Sequence, residues 1–193
     1  MGRVLVFILI ALMVATAVAA DSFTDPRDGK TYKTVKIGSQ TWMAENLNYE
    51  TEGSFCYENK PANCKKYGRL YTWNAALKAC PVGWHLPNKT EFEKLIEFVG
   101  GEEIAAEKLK AQSGWTYASV GTDDFGFSAL SGGKRDDYEN YYDEGGDAFF
   151  WSSTGNDEKD YLAKYMHIYF SNANVYVDDC RKGFSYSVRC VKD

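Results

Sequence analysis

Two cysteines 110 positions apart (190 minus 80), each set in a dense apolar segment, constrain this chain more than any other feature. Cys80 stands in Ala79-Cys80-Pro81-Val82-Gly83-Trp84-His85-Leu86-Pro87, and Cys190 stands in Val188-Arg189-Cys190-Val191. Bonded, they would pin the middle of the chain to its last strand. In the chain-entropy account, a closed loop of that size is worth roughly 4–5 kcal/mol. Cys56, Cys64 and Cys180 complete a set of five. Cys56 and Cys64 flank the turn-rich Lys60-Pro61-Ala62-Asn63, which suits a local loop. Two pairings then stay open: Cys80 with Cys190, leaving Cys180 alone, or Cys180 with Cys190, leaving Cys80 alone. A zinc site is not expected, because no Cys-x-x-Cys spacing occurs and the only histidines are His85 and His167.

The N-terminus implies a compartment in which these cysteines pair. Arg3 precedes an uncharged apolar run from Val4 to Val14, and small residues follow as far as Ala20. Ala17-Val18-Ala19 and Val18-Ala19-Ala20 both suit a signal peptidase, so residues 1–20 read as a signal peptide and the mature chain starts at Ala20 or Asp21. The apolar run is short for a bilayer span, and no membrane insertion is expected after cleavage. Residues 21–193 are of one-domain size. The net charge of −5, one unit more acidic once Arg3 is removed, and the lack of a basic stripe argue against nucleic acid and anionic membranes.

Periodicity places the elements. Residues 25–37 read as strand, turn and strand around Asp28-Gly29, and Thr41-Trp42-Met43 follows the Gly38-Ser39-Gln40 turn. Residues 44–68 are loop-like, and Tyr71 to Ala79 suits a short helix stopped by Pro81. Asn88 with Glu91 forms a capping box, and Phe92, Leu95, Ile96 and Val99 share one face before Gly100-Gly101 ends the helix. Asn88-Lys89-Thr90 also matches a glycosylation sequon, but the cap accounts for it. A third helix is predicted over Glu102 to Gln112. Strands follow at Ala148 to Ser152 and at Leu162 to Phe170, where Tyr165, His167 and Tyr169 alternate with Met166, Ile168 and Phe170. Ser171-Asn172-Ala173-Asn174 is a turn to Val175–Val177, and Phe184 to Val191 is the last strand. The fold class is therefore α+β, with two or three short helices, antiparallel strands and long loops in a single domain over 21–193.

Four segments carry a family resemblance. They are Asp28 to Tyr49, Tyr67 to Pro87, Phe150-Trp151-Ser152-Ser153 and the close Gly183 to Asp193. Together they resemble the Fibrobacter succinogenes major paralogous domain family. This resemblance implies an exported bacterial domain without an established activity. The order of helix, cysteine, Gly-Trp-His-Leu-Pro, helix, Trp-bearing strand and final Arg-Cys also resembles the C-type lectin-like plan, which implies Cys80 paired with Cys190. That family's calcium-dependent sugar site uses Glu-Pro-Asn or Gln-Pro-Asp with Trp-Asn-Asp. None of these occurs here, and Gly155-Asn156-Asp157 lacks the Trp. Calcium-dependent sugar binding is thus not inherited.

No constellation reads as catalytic. His85 and His167 sit among core residues, Ser152-Ser153 is no nucleophile elbow, and Cys180 and Cys190 lack the remaining pattern of formylglycine-generating enzymes. Asp136, Asp137, Glu139, Asp143, Glu144 and Asp147, interleaved with Tyr138, Tyr141 and Tyr142, form an acidic loop. Carboxylates of that density can bind calcium, but the spacing is not that of an EF-hand, and no cofactor is expected. Aromatic side chains, 16% of the chain, offer flat faces for sugars or proteins. The ligand-binding candidates are Trp115, Tyr138, Tyr141, Tyr142, Asp136 and Asp137, whereas Trp42, Trp73, Trp84 and Trp151 belong to the core. The expected function is a secreted or cell-surface, non-catalytic binding or adhesion domain for a polysaccharide or another surface protein. A glycan-active hydrolase and a structural component of a surface appendage are the alternatives.

Overall fold

A computed structural model describes residues 21–116, 121–171 and 173–193. The signal segment at 1–20 and Asn172 of the expected turn lie outside the described residues. The elements run β1 (Ser22–Thr24), β2 (Thr31–Ile37), β3 (Gln40–Met43), β4 (Ser54–Phe55), a 3-10 turn (Tyr57–Asn59), α1 (Pro61–Tyr67), β5 (Leu70–Thr72), α2 (Trp73–Ala79), β6 (Trp84–His85), α3 (Lys89–Phe98) and α4 (Glu102–Leu109). They continue with β7 (Gly132–Arg135), β8 (Tyr141–Glu144), β9 (Ala148–Gly155), β10 (Leu162–Ile168), β11 (Val175–Arg181), β12 (Ser185–Tyr186) and β13 (Val191–Lys192). This is an α+β fold. One sheet has the order β1-β2-β3-β13-β6, and the other runs β11-β10-β9-β7-β12-β5-β4 with β8 on β7. The β7–β9 pair is parallel, unlike the antiparallel hairpins around it.

The helix predicted from Asn88 forms because its cap is complete. Asn88 Oδ1 accepts the Glu91 N–H at 3.0 Å, and Glu91 Oε2 accepts the Asn88 N–H at 2.8 Å. Phe92, Leu95 and Ile96 go into the core, and the Gly101 N–H returns to the Ile96 carbonyl at 2.8 Å. Elsewhere tertiary pairing overrides local pattern. Tyr71 is drawn out of the expected helix into β5 by pairing with Tyr186 and Ser54, so α2 starts at Trp73, capped by the Thr72 hydroxyl. The third helix stops at Leu109, because Lys110 turns extended and bridges to Ala129. The expected loop at 44–68 contains α1. Its Pro-Ala-Asn-Cys-Lys-Lys-Tyr carries no apolar stripe, and the helix is held by Pro61 at its start and by the Cys56–Cys64 bond. The expected acidic loop is largely the β7–β8 hairpin.

Two aromatic cores meet at the last segment. In one, Trp42 stacks on Phe92 at 5.6 Å and meets the edges of Phe127 and, through it, Phe150. In the other, Trp151 packs on Tyr186 at 4.4 Å, among Tyr71, Met43, Leu47 and Val188. The predicted last strand is split between β12 and β13, because residues 187–190 cross from one sheet to the other. Arg189 sits at this crossing, fully buried. Its Nε donates to Asn46 Oδ1 at 2.7 Å and its Nη2 to the Ser128 carbonyl at 2.8 Å, while Nη1 donates to the carbonyls of Met43 and Phe127. Burial pulls this guanidinium down to about 9, so it stays charged at neutral pH. The disulfides are Cys56–Cys64 and Cys80–Cys190, and Cys180 carries a free thiol.

Candidate functional site

The alternation in β10 builds a two-sided strand. Met166 and Ile168 are fully buried in the core, which stabilises each by roughly 1.5–3 kcal/mol. Tyr165, His167 and, just past the strand, Tyr169 take the other side. Antiparallel register then sets two rungs: Phe149 of β9 and Tyr176 of β11 flank His167, while Trp151 and Asp178 flank Tyr165. His167 stacks on Phe149 at 4.3 Å and lies 3.8 Å from Tyr169, whose ring meets Tyr176 edge-on at 5.8 Å. Tyr165 and Phe149 both lie 5.0 Å from Tyr186 below. The result is an open pocket of about 520 Å³ at the β11 edge of the larger sheet, lined by Tyr165, His167, Tyr169, Tyr176, Val177, Asp178 and Glu102 of α4.

Polar contacts hold the platform still. His167 Nε2 meets Asp147 Oδ2 at 3.1 Å, and Asp147 Oδ1 accepts the Phe170 N–H at 2.9 Å. Burial pushes the Asp147 carboxyl up, but these bonds and the charge of Lys134 outweigh it and leave it below the usual range. Burial raises Tyr165 strongly, so its hydroxyl stays a protonated donor. Burial also pushes the Cys180 thiol up, against the opposing hydrogen bond with Tyr186, which is the reverse of what a nucleophilic cysteine needs. His85 is pinned at both ring nitrogens, by Glu91 at 2.8 Å and by Asp193 at 2.6 Å, and so joins α3 to the chain's last residue.

The residues expected to bind ligand are placed elsewhere. Trp115 is a correction: it is 7% exposed, belongs to the core and donates from Nε1 to the Ala129 carbonyl at 3.0 Å. Its apolar ring fills the space beside Ala129 rather than facing solvent. Asp136 is also turned inward, its Oδ1 accepting the Tyr138 and Asn140 N–H groups to form the hairpin turn. Asp137 pairs with Arg181, Glu139 with Arg135 and Asp143 with Lys134. Paired in this way, the acidic residues do not converge, and among the described residues no group of three or more His, Cys, Asp or Glu is positioned to hold a metal. Tyr138 and Tyr142 are exposed on the hairpin, whereas Tyr141 packs on Tyr57 and donates to Asn59 Oδ1 at 3.0 Å. None of these six residues lines the aromatic pocket. Tyr165, Tyr169 and Tyr176 do, and the alternation of residues 162–170 was the signal that pointed to two of them.

The family model described as the Fibrobacter succinogenes major domain matches residues 35–192. No curated protein and no solved structure matches the chain.

Proposed function

The chain belongs to the Fibrobacter succinogenes major domain family, and on that footing we propose a secreted or cell-surface, non-catalytic binding domain whose ligand is a polysaccharide. The observation that carries this is the open pocket walled by Tyr165, His167, Tyr169 and Tyr176. Flat rings with polar edges suit the apolar face of a sugar ring, and Asp178 and Glu102 offer acceptors for its hydroxyls. A C-type lectin-like architecture over residues 21–193, behind a cleaved signal at 1–20, fits the bond that joins the end of α2 to the final strand. Two disulfides fit an oxidising compartment, and among the described residues no helix is long and apolar enough to cross a membrane.

A glycan array followed by calorimetric titration tests the proposal. Tyr176→Ala, at a residue 40% exposed, is expected to weaken binding of a glycan hit about tenfold, the equivalent of about 1.4 kcal/mol. Absence of binding to any glycan removes the sugar ligand and leaves a surface protein as the partner. The second reading is a glycan-active hydrolase, favoured by the presence of two carboxylates, Glu102 and Asp178, in one pocket. It requires turnover that Glu102→Gln or Asp178→Asn abolishes, and turnover unaffected by either change would eliminate it.

A further inference from the structure

A second groove lies at the far end of the larger sheet. The aromatic pocket borders β11, and β4 is the strand at the opposite edge. An open pocket of about 610 Å³ lies beside β4, and a second of about 220 Å³ lies between β2 and α1; they share Lys30, Asn48, Cys64 and Lys65 in their walls, and together they are taken here as one trough. The Cys56–Cys64 bond fixes α1 along it. Its charge opposes that of the molecule. The chain carries −5 overall, yet Lys30, Lys65, Lys66 and Arg69 line the trough against Glu45 and Glu50.

The existing partners of these cations show what they accept. Glu50, with its side chain 79% exposed, lays its carboxylate on Arg69 at 2.6 Å, and Arg69 is itself held in the wall at 11% exposure. An incoming carboxylate can therefore replace a loosely held one on a preformed guanidinium. Glu45, in the wall of the smaller pocket, is already engaged, with Oε2 accepting the Lys33 N–H at 2.7 Å. Lys65 and Lys66 on α1 are exposed. Asn48 and Asn59 add neutral amides of the kind that meet sugar hydroxyls. Two lining rings are already occupied: Phe55 lies under the Arg135 guanidinium at 3.9 Å, and Tyr67 lies under Lys66 Nζ at 4.4 Å. Cations on both rings leave little for a base to stack on, which disfavours a nucleic-acid strand.

We infer that this trough is a second binding site, and that its ligand is a carboxylated polysaccharide of uronate sugars. The inference stands independently of the aromatic pocket. The test is calorimetric titration of the full chain with homogalacturonan oligosaccharides and with their methyl esters of equal length. The acid form is expected to bind, with an affinity that falls as salt is raised, and the ester to bind at least about tenfold more weakly. Lys65→Glu combined with Lys66→Glu, at two solvent-facing positions, is expected to lower the acid form's affinity about tenfold or more. Tyr176→Ala should leave it unchanged. Equal binding of acid and ester, full binding by the double lysine variant, loss of binding in Tyr176→Ala, or no binding of the acid form would each overturn the inference.

Discussion

Removing the two disulfides one at a time separates loop entropy from packing. The bonds close loops of very different span, with sequence separations of 110 for Cys80–Cys190 and 8 for Cys56–Cys64. Their packing environments are alike: each has one buried cysteine, Cys190 at 0% and Cys64 at 6% exposure, and one that is half-buried. Replacing either pair by alanines therefore removes similar buried volume, and that cost largely cancels in a comparison. The loop term does not cancel. With an entropy loss of 2.1 plus 1.5R ln n, the long bond contributes about 4.8 kcal/mol at 25 °C and the short one about 2.5 kcal/mol. The long-bond variant is expected to fall about 2 kcal/mol further, a readily measured share of the about 5–15 kcal/mol that holds an ordinary domain folded. Urea denaturation followed by tryptophan fluorescence reads both values from the same probe. Equal losses, or a larger loss at Cys56–Cys64, would refute the entropic account and place the stabilisation in native-state contacts.

Two further outcomes follow from buried or paired charges. Arg189→Lys is expected to cost about 3 kcal/mol or more in the same denaturation assay, because a single ammonium cannot reach the four oxygens that the guanidinium serves; a loss under about 0.5 kcal/mol would count against it. At His85 burial lowers the imidazole pKa, but hydrogen bonds and charges from Glu91 and Asp193 outweigh it and leave the group above 6.5. Its stabilisation is thus fully present below the unfolded value and is lost as pH rises through the folded one. The stability gap between the parent and His85→Gln should therefore be wider near about pH 5.5 than near about pH 9, and a constant gap would remove the charge from the explanation.

Local signals identified what local physics decides. The Asn88–Glu91 box and the Phe92, Leu95, Ile96 stripe were readable because capping and amphipathicity act within a few residues. The two faces of β10 were readable because alternation marks them. The long-range pairings left no such trace. Tyr71 has a helical neighbourhood, yet its partners are Tyr186 and Ser54. Trp115 follows Ser113-Gly114 and reads as loop, yet Ala129 and the core receive it. The acidic hairpin drew attention because carboxylates cluster in its sequence, whereas its cations come partly from a distant strand, as with Arg181 for Asp137. The aromatic pocket needed Tyr176 beside His167, and the β10–β11 register supplies that contact.

The position of β13 bears on how such a chain is made. Val191 pairs with Trp42 on one side and with His85 on the other, so the last strand sits inside its sheet rather than at an edge. Without those residues, β3 and β6 lack the strand that joins them, and Arg189 cannot reach Asn46. Contacts this distant in sequence form slowly and late. Folding to completion thus waits for residues 187–192, which close the smaller sheet and seat Arg189 in the same step.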